Sequence, residues 1–326
     1  MGTLTTVNTI AQTSSHPTSA SANGFGQSNP FYAPSTLPFQ APPFDKIRYA
    51  DFQPAIEAGM TQQRTEIEAI ANNPNAPTFE NTIVAMEKSG QLLDRVAAAF
   101  RCVTGANTNP TLQKIETEEA PKLAAHKDFI YLNTKLFERI AAIYQQRASL
   151  KLDPESLRLV ERYYETFVHE GAKLSEAEKA ALKKLNEEAS TLSTAFKNKL
   201  LAATKEGAYT TDDRAALAGL SEARIAAAAQ AATSRKIEGY LIPLQNTTQQ
   251  PDLVNLNNRA TRQVIFGHSW ERTERSDAND TRDTIARLAQ LRAQKAKLLG
   301  YPSYAAWKDL KDLGGTRFRR ISVAVQ

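Results

Sequence analysis

SEAEKAALKKLNEEASTLSTAFKNKLLAAT, residues 175–204, decides the fold class. Ser175 followed by Glu178 forms a capping box, in which each side chain satisfies a backbone donor left open at a helix start. Beyond it Leu182, Leu185, Ala189, Leu192 and Phe196 recur in alternating steps of three and four, the period of one helix face. No proline or glycine interrupts the run. A helix over 176–204 would be about 43 Å long at 1.5 Å per residue. Its length predicts a long antiparallel hairpin with the helix before it.

The same period extends outward in both directions. Asp153-Pro154 is a start signal, because proline at the first helical position forfeits no hydrogen bond; Leu157, Val160, Tyr164, Phe167 and Val168 follow. Asn109-Pro110 repeats the signal. Thr78 can cap a helix carrying Phe79, Ile83, Met86, Leu93, Val96, Phe100 and Val103 as far as Gly105. Phe52, Ile56, Met60, Ile67 and Ile70 mark a first helix that stops before Asn72-Asn73-Pro74. Past the long helix, residues 208–211 and 239–245 have strand composition and predict a small β-hairpin around the alanine-rich helix that opens at Ser221. Pro243 confines the second strand to a sheet edge. Helices resume with Leu253, Leu256, Ala260 and Val264, and again from Asn279 with Ile285, Leu288, Leu291 and Leu298, closing at Gly300 and Pro302. The class is mainly α, and the absence of a fixed repeat argues against a solenoid.

Composition narrows the function classes. The 326 residues carry 40 Lys+Arg against 35 Asp+Glu, a formal charge of +5, with both signs interleaved. That is weak support for a nucleic-acid or membrane-surface partner. No apolar run approaches the ~18 residues of a membrane span. One cysteine forms no internal disulfide, so a reducing, cytoplasmic setting is expected. Residues 1–28 form a polar tract without the basic and apolar regions of a secretory signal and read as a disordered tail. Gly2 and Thr6 fit the loose myristoylation pattern, which alone carries little weight. Residues 29–50 combine Pro30, Pro34, Pro38, Pro42 and Pro43 with Phe31, Tyr32, Phe39 and Phe44, and read as an extended arm packed over a helical body at 51–308.

Each catalytic pattern requires a particular geometry. A helical zinc peptidase needs H-E-x-x-H, two imidazoles one turn apart with a glutamate to activate the metal-bound water. His169-Glu170-Gly171-Ala172-Lys173 places a lysine where the second ligand belongs, leaving His169 as a surface histidine at a helix end. His16 lies in the tail, and His126 and His268 stand alone. Cys102, among Val96, Phe100 and Val103, reads as a buried, inert thiol. There is no phosphate-cradling G-x-x-x-x-G-K-[ST] motif, and Gly24-Phe25-Gly26 lacks the third glycine of a dinucleotide fingerprint. Glu118-Glu119, Glu187-Glu188 and Asp212-Asp213 read as solvated faces or caps. Arg317, Arg319 and Arg320 are too few and too poor in aromatic neighbours for nucleic acid.

Particular strings carry more than periodicity does. Asn29-Pro30-Phe31, Ser35-Thr36-Leu37-Pro38-Phe39, Phe44-Asp45-Lys46-Ile47, Phe79-Glu80-Asn81-Thr82-Ile83, Gly171-Ala172-Lys173-Leu174, Leu241-Ile242-Pro243-Leu244-Gln245-Asn246-Thr247-Thr248-Gln249-Gln250-Pro251, Asp277-Ala278-Asn279-Asp280-Thr281-Arg282 and Leu298-Leu299-Gly300-Tyr301-Pro302-Ser303-Tyr304-Ala305-Ala306-Trp307-Lys308 occur in family order. They resemble the peptidyl-dipeptidase branch of the thimet-oligopeptidase-like, or neurolysin-like, zinc metallopeptidases. The resemblance implies a helical ellipsoid cleft by a deep channel, release of C-terminal dipeptides from short peptides, and hydrolysis by a zinc-bound water.

Two departures qualify it. Members of that family are about twice as long, and their H-E-x-x-H helix and remaining zinc ligands lie in the half without a counterpart here. No catalytic, cofactor-binding or metal-ligating residue therefore carries over. After Lys308 the chain departs from the family through Gly314-Gly315 and a basic end, so 309–326 reads as a non-family tail, most simply from a frameshift near Lys308. The expectations are no zinc and no peptidase activity for this chain alone, association through apolar faces left uncovered, and a catalytic half that is lost or supplied in trans. The competing reading is a helical interaction module without catalysis.

Overall fold

The computed structural model describes residues 24–312 except 248, with side chains as far as residue 308. The expected tail at 1–23 and the chain end beyond 312 lie outside the described residues. Helices dominate, and none of those described is long and apolar enough to cross a membrane.

The first layer is α1 (Tyr49–Ala71), α3 (Gln91–Asn107) and α4 (Pro110–Tyr131). Phe52, Ile56, Met60, Leu93, Val96 and Leu112 fill the space between them. Gly59 permits the closest approach: a Cβ there would sit 2.9 Å from the Leu93 backbone. The arm behaves as an arm only in part. Phe31 is buried and its ring packs on Phe52 at 5.5 Å, whereas Phe39 and Phe44 are exposed. The arm ends earlier than expected, because Asp51 Oδ2 accepts from Arg48 N at 2.7 Å and starts α1 at Tyr49. Phe25, placed by sequence in the polar tail, packs against the same core.

The helix expected from Thr78 to Gly105 is broken. Thr78 caps a π-helical turn, Phe79–Val84, that runs into α2 (Ala85–Glu87). Gly90 then takes φ +76, its N–H donates to Glu66 Oε2 at 2.8 Å, and α3 sets off along α1. A Cβ at position 90 would fall 2.2 Å from the Gln63 amide, so a side chain there would have to displace that amide as well as adopt a left-handed dihedral.

Helices α5 (Thr134–Gln146) and α6 (Pro154–Glu170) form the next pair. Their seam is aromatic: Tyr144 stacks on Tyr164 at 3.9 Å, and Phe137 lies between Tyr164 and Phe167. That seam occupies the apolar face of α6. The long helix α7 (Glu176–Glu206) therefore does not form the expected hairpin with α6. Gly171, at φ +106, redirects the chain, and α7 runs beside α4 on one flank and α11 (Arg282–Leu298) on the other.

A smaller unit follows. β1 (Tyr209–Thr211) pairs antiparallel with β2 (Tyr240–Ile242), Tyr209 opposite Ile242, around α8 (Glu222–Ser234), as the hairpin expectation had it. The helix expected over 253–264 is two, α9 (Asp252–Asn255) and α10 (Arg259–Trp270). Asn257 N donates to Ala218 O at 2.8 Å and Asn258 recaps the chain, which rotates the buried face onto Thr261 and Ile265 and leaves Val264 exposed. Helix α11 starts at Arg282 rather than Asn279, because Asp280 holds the Arg282 N–H at 3.0 Å. Helix α12 (Tyr304–Asp312) returns against α11 and the end of α6.

Candidate functional site

Helix α4 is covered on two sides, which its sequence encodes as two stripes. Leu112, Ile115, Glu119, His126 and Ile130 are buried, with Glu119 and His126 turned to α1. Ala120 and Ala124 are small and admit α7 so closely that Ser190 Oγ donates to Ala120 O at 2.9 Å. Where α11 and α12 complete this junction, the small Ala124, Ala189, Ser190 and Ser193 cannot fill it. A cavity of about 250 Å3 remains, lined also by Lys127, Asp128, Asn186, Arg292, Lys295 and Tyr304.

Asp128 is 7% exposed. Its Oδ1 accepts from Asn186 Nδ2 at 2.7 Å, and Asn186 Oδ1 accepts from Lys295 Nζ at 2.8 Å. Burial pushes the Asp128 carboxyl up to about 6, against the opposing pull of the Asn186 hydrogen bond and of Lys295 and Lys127, while Glu170 adds to the rise. Lys295 also lies 4.6 Å over the Trp307 ring, and Trp307 stacks on His169 at 4.9 Å. Tyr301 Oη meets His169 Nδ1 at 3.3 Å. Lys127 pairs with Glu170 at 2.9 Å. The strings around Gly171 and Leu298, far apart in sequence, thus meet at one edge of this cleft.

The cleft can hold a charged ligand group, but it is not assembled for hydrolysis. Ser190 donates to Ala120 O and Ser193 to Ala189 O at 2.6 Å, so neither hydroxyl is directed at a base. Nor do the residues fit zinc: among those described, no three His, Cys, Asp or Glu side chains converge. The His169 ring is engaged with Trp307 and Tyr301, Glu170 faces a lysine, and the next turn offers Lys173, set over the Tyr164 ring.

The remaining sequence candidates fall as follows. His169 is half-buried rather than a surface residue, because α12 folds onto it. His126 is 4% exposed, its Nε2 paired with Gln63 Oε1 at 2.7 Å, and burial holds its pKa down to about 4, with Arg64 adding to the effect. His268 Nδ1 meets Gly207 O at 3.0 Å. Cys102 is exposed, which corrects the expectation of a buried thiol. The buried stripe of α3 runs through Val96, Ala99 and Phe100, and position 102 turns away from it. Glu119, expected on a solvated face, is 1% exposed and held by Gln53 and Lys122, each at 2.9 Å. Glu188 forms a two-pronged pair with Arg287, and Asp213 caps a short 3-10 turn, as expected for caps and faces. Asp128, Asn186, Arg292 and Lys295 carried no sequence signal beyond a carboxylate beside a small-residue stripe.

No family model matches the chain. It is 52% identical over 281 residues, 86% of its length, to a dipeptidyl carboxypeptidase of Escherichia coli, of which it covers 41%. A dipeptidyl carboxypeptidase of Salmonella typhimurium is 49% identical over the same extent. Oligopeptidase A of Escherichia coli is 23% identical over 72% of the chain and 34% of the relative. The chain thus spans about two-fifths of the length of the dipeptidyl carboxypeptidases it matches.

Proposed function

Because the chain belongs to the oligopeptidase family, as the N-terminal part of a peptidyl-dipeptidase, we propose that it forms a helical wall of the peptide channel in an enzyme that removes dipeptides from the C-terminal end of short peptides. The observation that carries this reading is the 52% identity over 86% of the chain. The hydrolytic groups, zinc ligands included, come on this reading from sequence outside this chain. The polypeptide alone then binds no stoichiometric zinc and cleaves nothing. Its place of action is the cytoplasm.

The test is to purify the 326-residue chain and assay release of C-terminal dipeptides from an N-blocked tripeptide, alone and after co-expression with the remaining portion of the Escherichia coli enzyme. No turnover alone and turnover on co-expression supports both the reading and assembly in trans. Dipeptide release or stoichiometric zinc in the chain alone, lost on His169→Ala, overturns it. A second reading, a non-catalytic interaction module, draws on the exposed Phe39 and Phe44 of the arm and the exposed, stacked Phe266 and Trp270 of α10. A defined partner retained by the chain and lost on Phe39→Ser or Trp270→Ser, with no turnover on co-expression, favours that reading.

A further inference from the structure

Helix α10 presents its aromatic residues to solvent. Asn258 caps it so that Thr261, Ile265 and Ser269 turn inward. Arg259, Gln263, Phe266 and Trp270, in steps of four, three and four, therefore share the exposed face. Phe266 and Trp270 are 53% and 67% exposed with their rings stacked at 5.7 Å, and Val254 on α9 is 86% exposed. A surface helix normally turns polar residues to water. An exposed apolar patch rimmed by polar groups marks an interaction site. Beside this face lies an open groove of about 330 Å3, lined by Leu253, Arg259, Arg262, Gln263 and Phe266.

The charges of the groove have one sign. From Pro251 to Trp270 the sequence carries a single carboxylate, Asp252. Arg224 already holds it, through Nε at 2.9 Å and Nη2 at 2.6 Å. Arg259 is exposed and makes no ion pair among the described residues. Arg262 Nη1 donates to Leu256 O at 2.6 Å and Asn257 O at 2.9 Å, which fixes the guanidinium at the groove while Nε and Nη2 donate to no described residue. Two cations thus flank an apolar floor with no anion to match them. A basic partner would be repelled, and a wholly apolar one would desolvate the arginines without pairing them. A nucleic-acid strand needs a continuing row of cations to follow its phosphates, whereas this face runs from two arginines into Phe266 and Trp270. Aromatic residues and arginine are the usual anchors of protein interfaces. We propose that the α9–α10 face docks an acidic segment of a protein partner, its carboxylates on Arg259 and Arg262 and an apolar side chain between Leu253 and Phe266. The assignment rests on the chemistry of the groove, goes beyond the channel-wall reading and does not require it.

The test is fluorescence titration of the full 326-residue chain with the end-capped peptide EELFEEL, with KKLFKKL, with EESSEES and with an oligothymidylate. Trp270 and Trp307 are the two tryptophans of the chain, and Trp307 is buried, so a blue shift on docking reports Trp270. Saturable binding of EELFEEL is expected, weakened about 10-fold by either change to the peptide and by Arg259→Glu, the loss of one charged contact. Phe266→Ser should weaken it by a similar factor. Both side chains are exposed, so both variants should keep the wild-type unfolding midpoint; if Phe266→Ser does not fold, Arg259→Glu decides. No saturable binding by folded chain, equal binding of KKLFKKL, or undiminished binding to Arg259→Glu would overturn the proposal. Tighter binding of the oligothymidylate would assign the face to nucleic acid, and self-association lost in Trp270→Ser without peptide binding would assign it to a second copy; either result overturns the proposal as well. Peptide binding without restored turnover on co-expression sinks only the channel-wall reading, and turnover without binding sinks only this one.

Discussion

Arg139 and Asp128 are both charged, both buried, at 8% and 7% exposure, and they are solvated by the protein in opposite ways. Arg139 Nη1 donates to Asn73 O at 2.9 Å and Asn75 O at 3.1 Å, Nη2 to Asn81 Oδ1 at 2.9 Å, and Nε to Thr82 Oγ1 at 3.3 Å. Four of its five N–H groups are thereby engaged. The guanidinium ties the loop between α1 and α2 to α5 and replaces a hydration shell with fixed carbonyls. Asp128 receives one hydrogen bond from the described residues and borders a cavity. Burial of a charge therefore says little until the hydrogen bonds around it are counted: a charge held by four bonds staples the fold, whereas one held by a single bond beside a cavity does not.

The difference can be broken most directly at Arg139. Arg139→Ala should cost about 3–4 kcal/mol, because it leaves several buried acceptors without donors at once. Urea denaturation measures it, and a loss under 1 kcal/mol would mean that water reaches the loop. His126 lies between the two extremes, with Gln63 on Nε2 and no partner on Nδ1 among the described residues. Its folded pKa is depressed to about 4 from 6.5, so the unfolded chain takes the proton first. The stability it contributes is full above pH 6.5 and is lost as pH falls toward 4, up to about 3 kcal/mol at about 1.4 kcal/mol per unit. Replacing His126 by Gln should remove that loss between pH 6.5 and 4.5 and leave the opposite slope of Asp128; an unchanged slope would overturn the assignment.

Asp128 should behave with the opposite sign. Its folded pKa, about 6, lies above the unfolded 3.8. The protonated form stabilises the fold below the unfolded value, and that contribution disappears as pH rises through 6. Asp128→Asn should therefore gain roughly 1–2 kcal/mol at pH 7.5 and nothing at pH 4. A destabilised variant at pH 7.5 would show that the carboxylate is as well wrapped as Arg139. The smallest effect belongs to Arg292→Gln, expected within about 0.5 kcal/mol of wild type, since the side chain is exposed and lies over the Tyr304 ring without an ion pair among the described residues.

These particulars also separate what could be read from what could not. The family string Phe79-Glu80-Asn81-Thr82 was visible in sequence, but its reason, the Asn81 and Thr82 bonds to Arg139, needed a residue 57 or more positions away. Likewise Gln250, in the string ending at Pro251, is buried because it donates to Thr247 O at 2.9 Å and Ser269 Oγ at 3.0 Å. The arm was only half legible, because aromatic content predicts burial without saying which ring finds a partner. None of the cleft was legible. Its members come from helices that meet only in three dimensions, and its space exists because the small residues on facing helices coincide.

By itself the sequence determined the local elements: the caps at Asn109, Asp153 and Ser175, the paired strands around α8, and the periodic faces, all set by interactions within a few residues. Tertiary structure decided which faces meet. Stacked aromatics tie α6 to α5, so α7 was left to α4 and α11, and Gly90 and Asn258 divided runs that periodicity alone would have joined. Periodicity records that a face is apolar, whereas the partner it packs against depends on shape and on hydrogen bonds between residues distant in the chain.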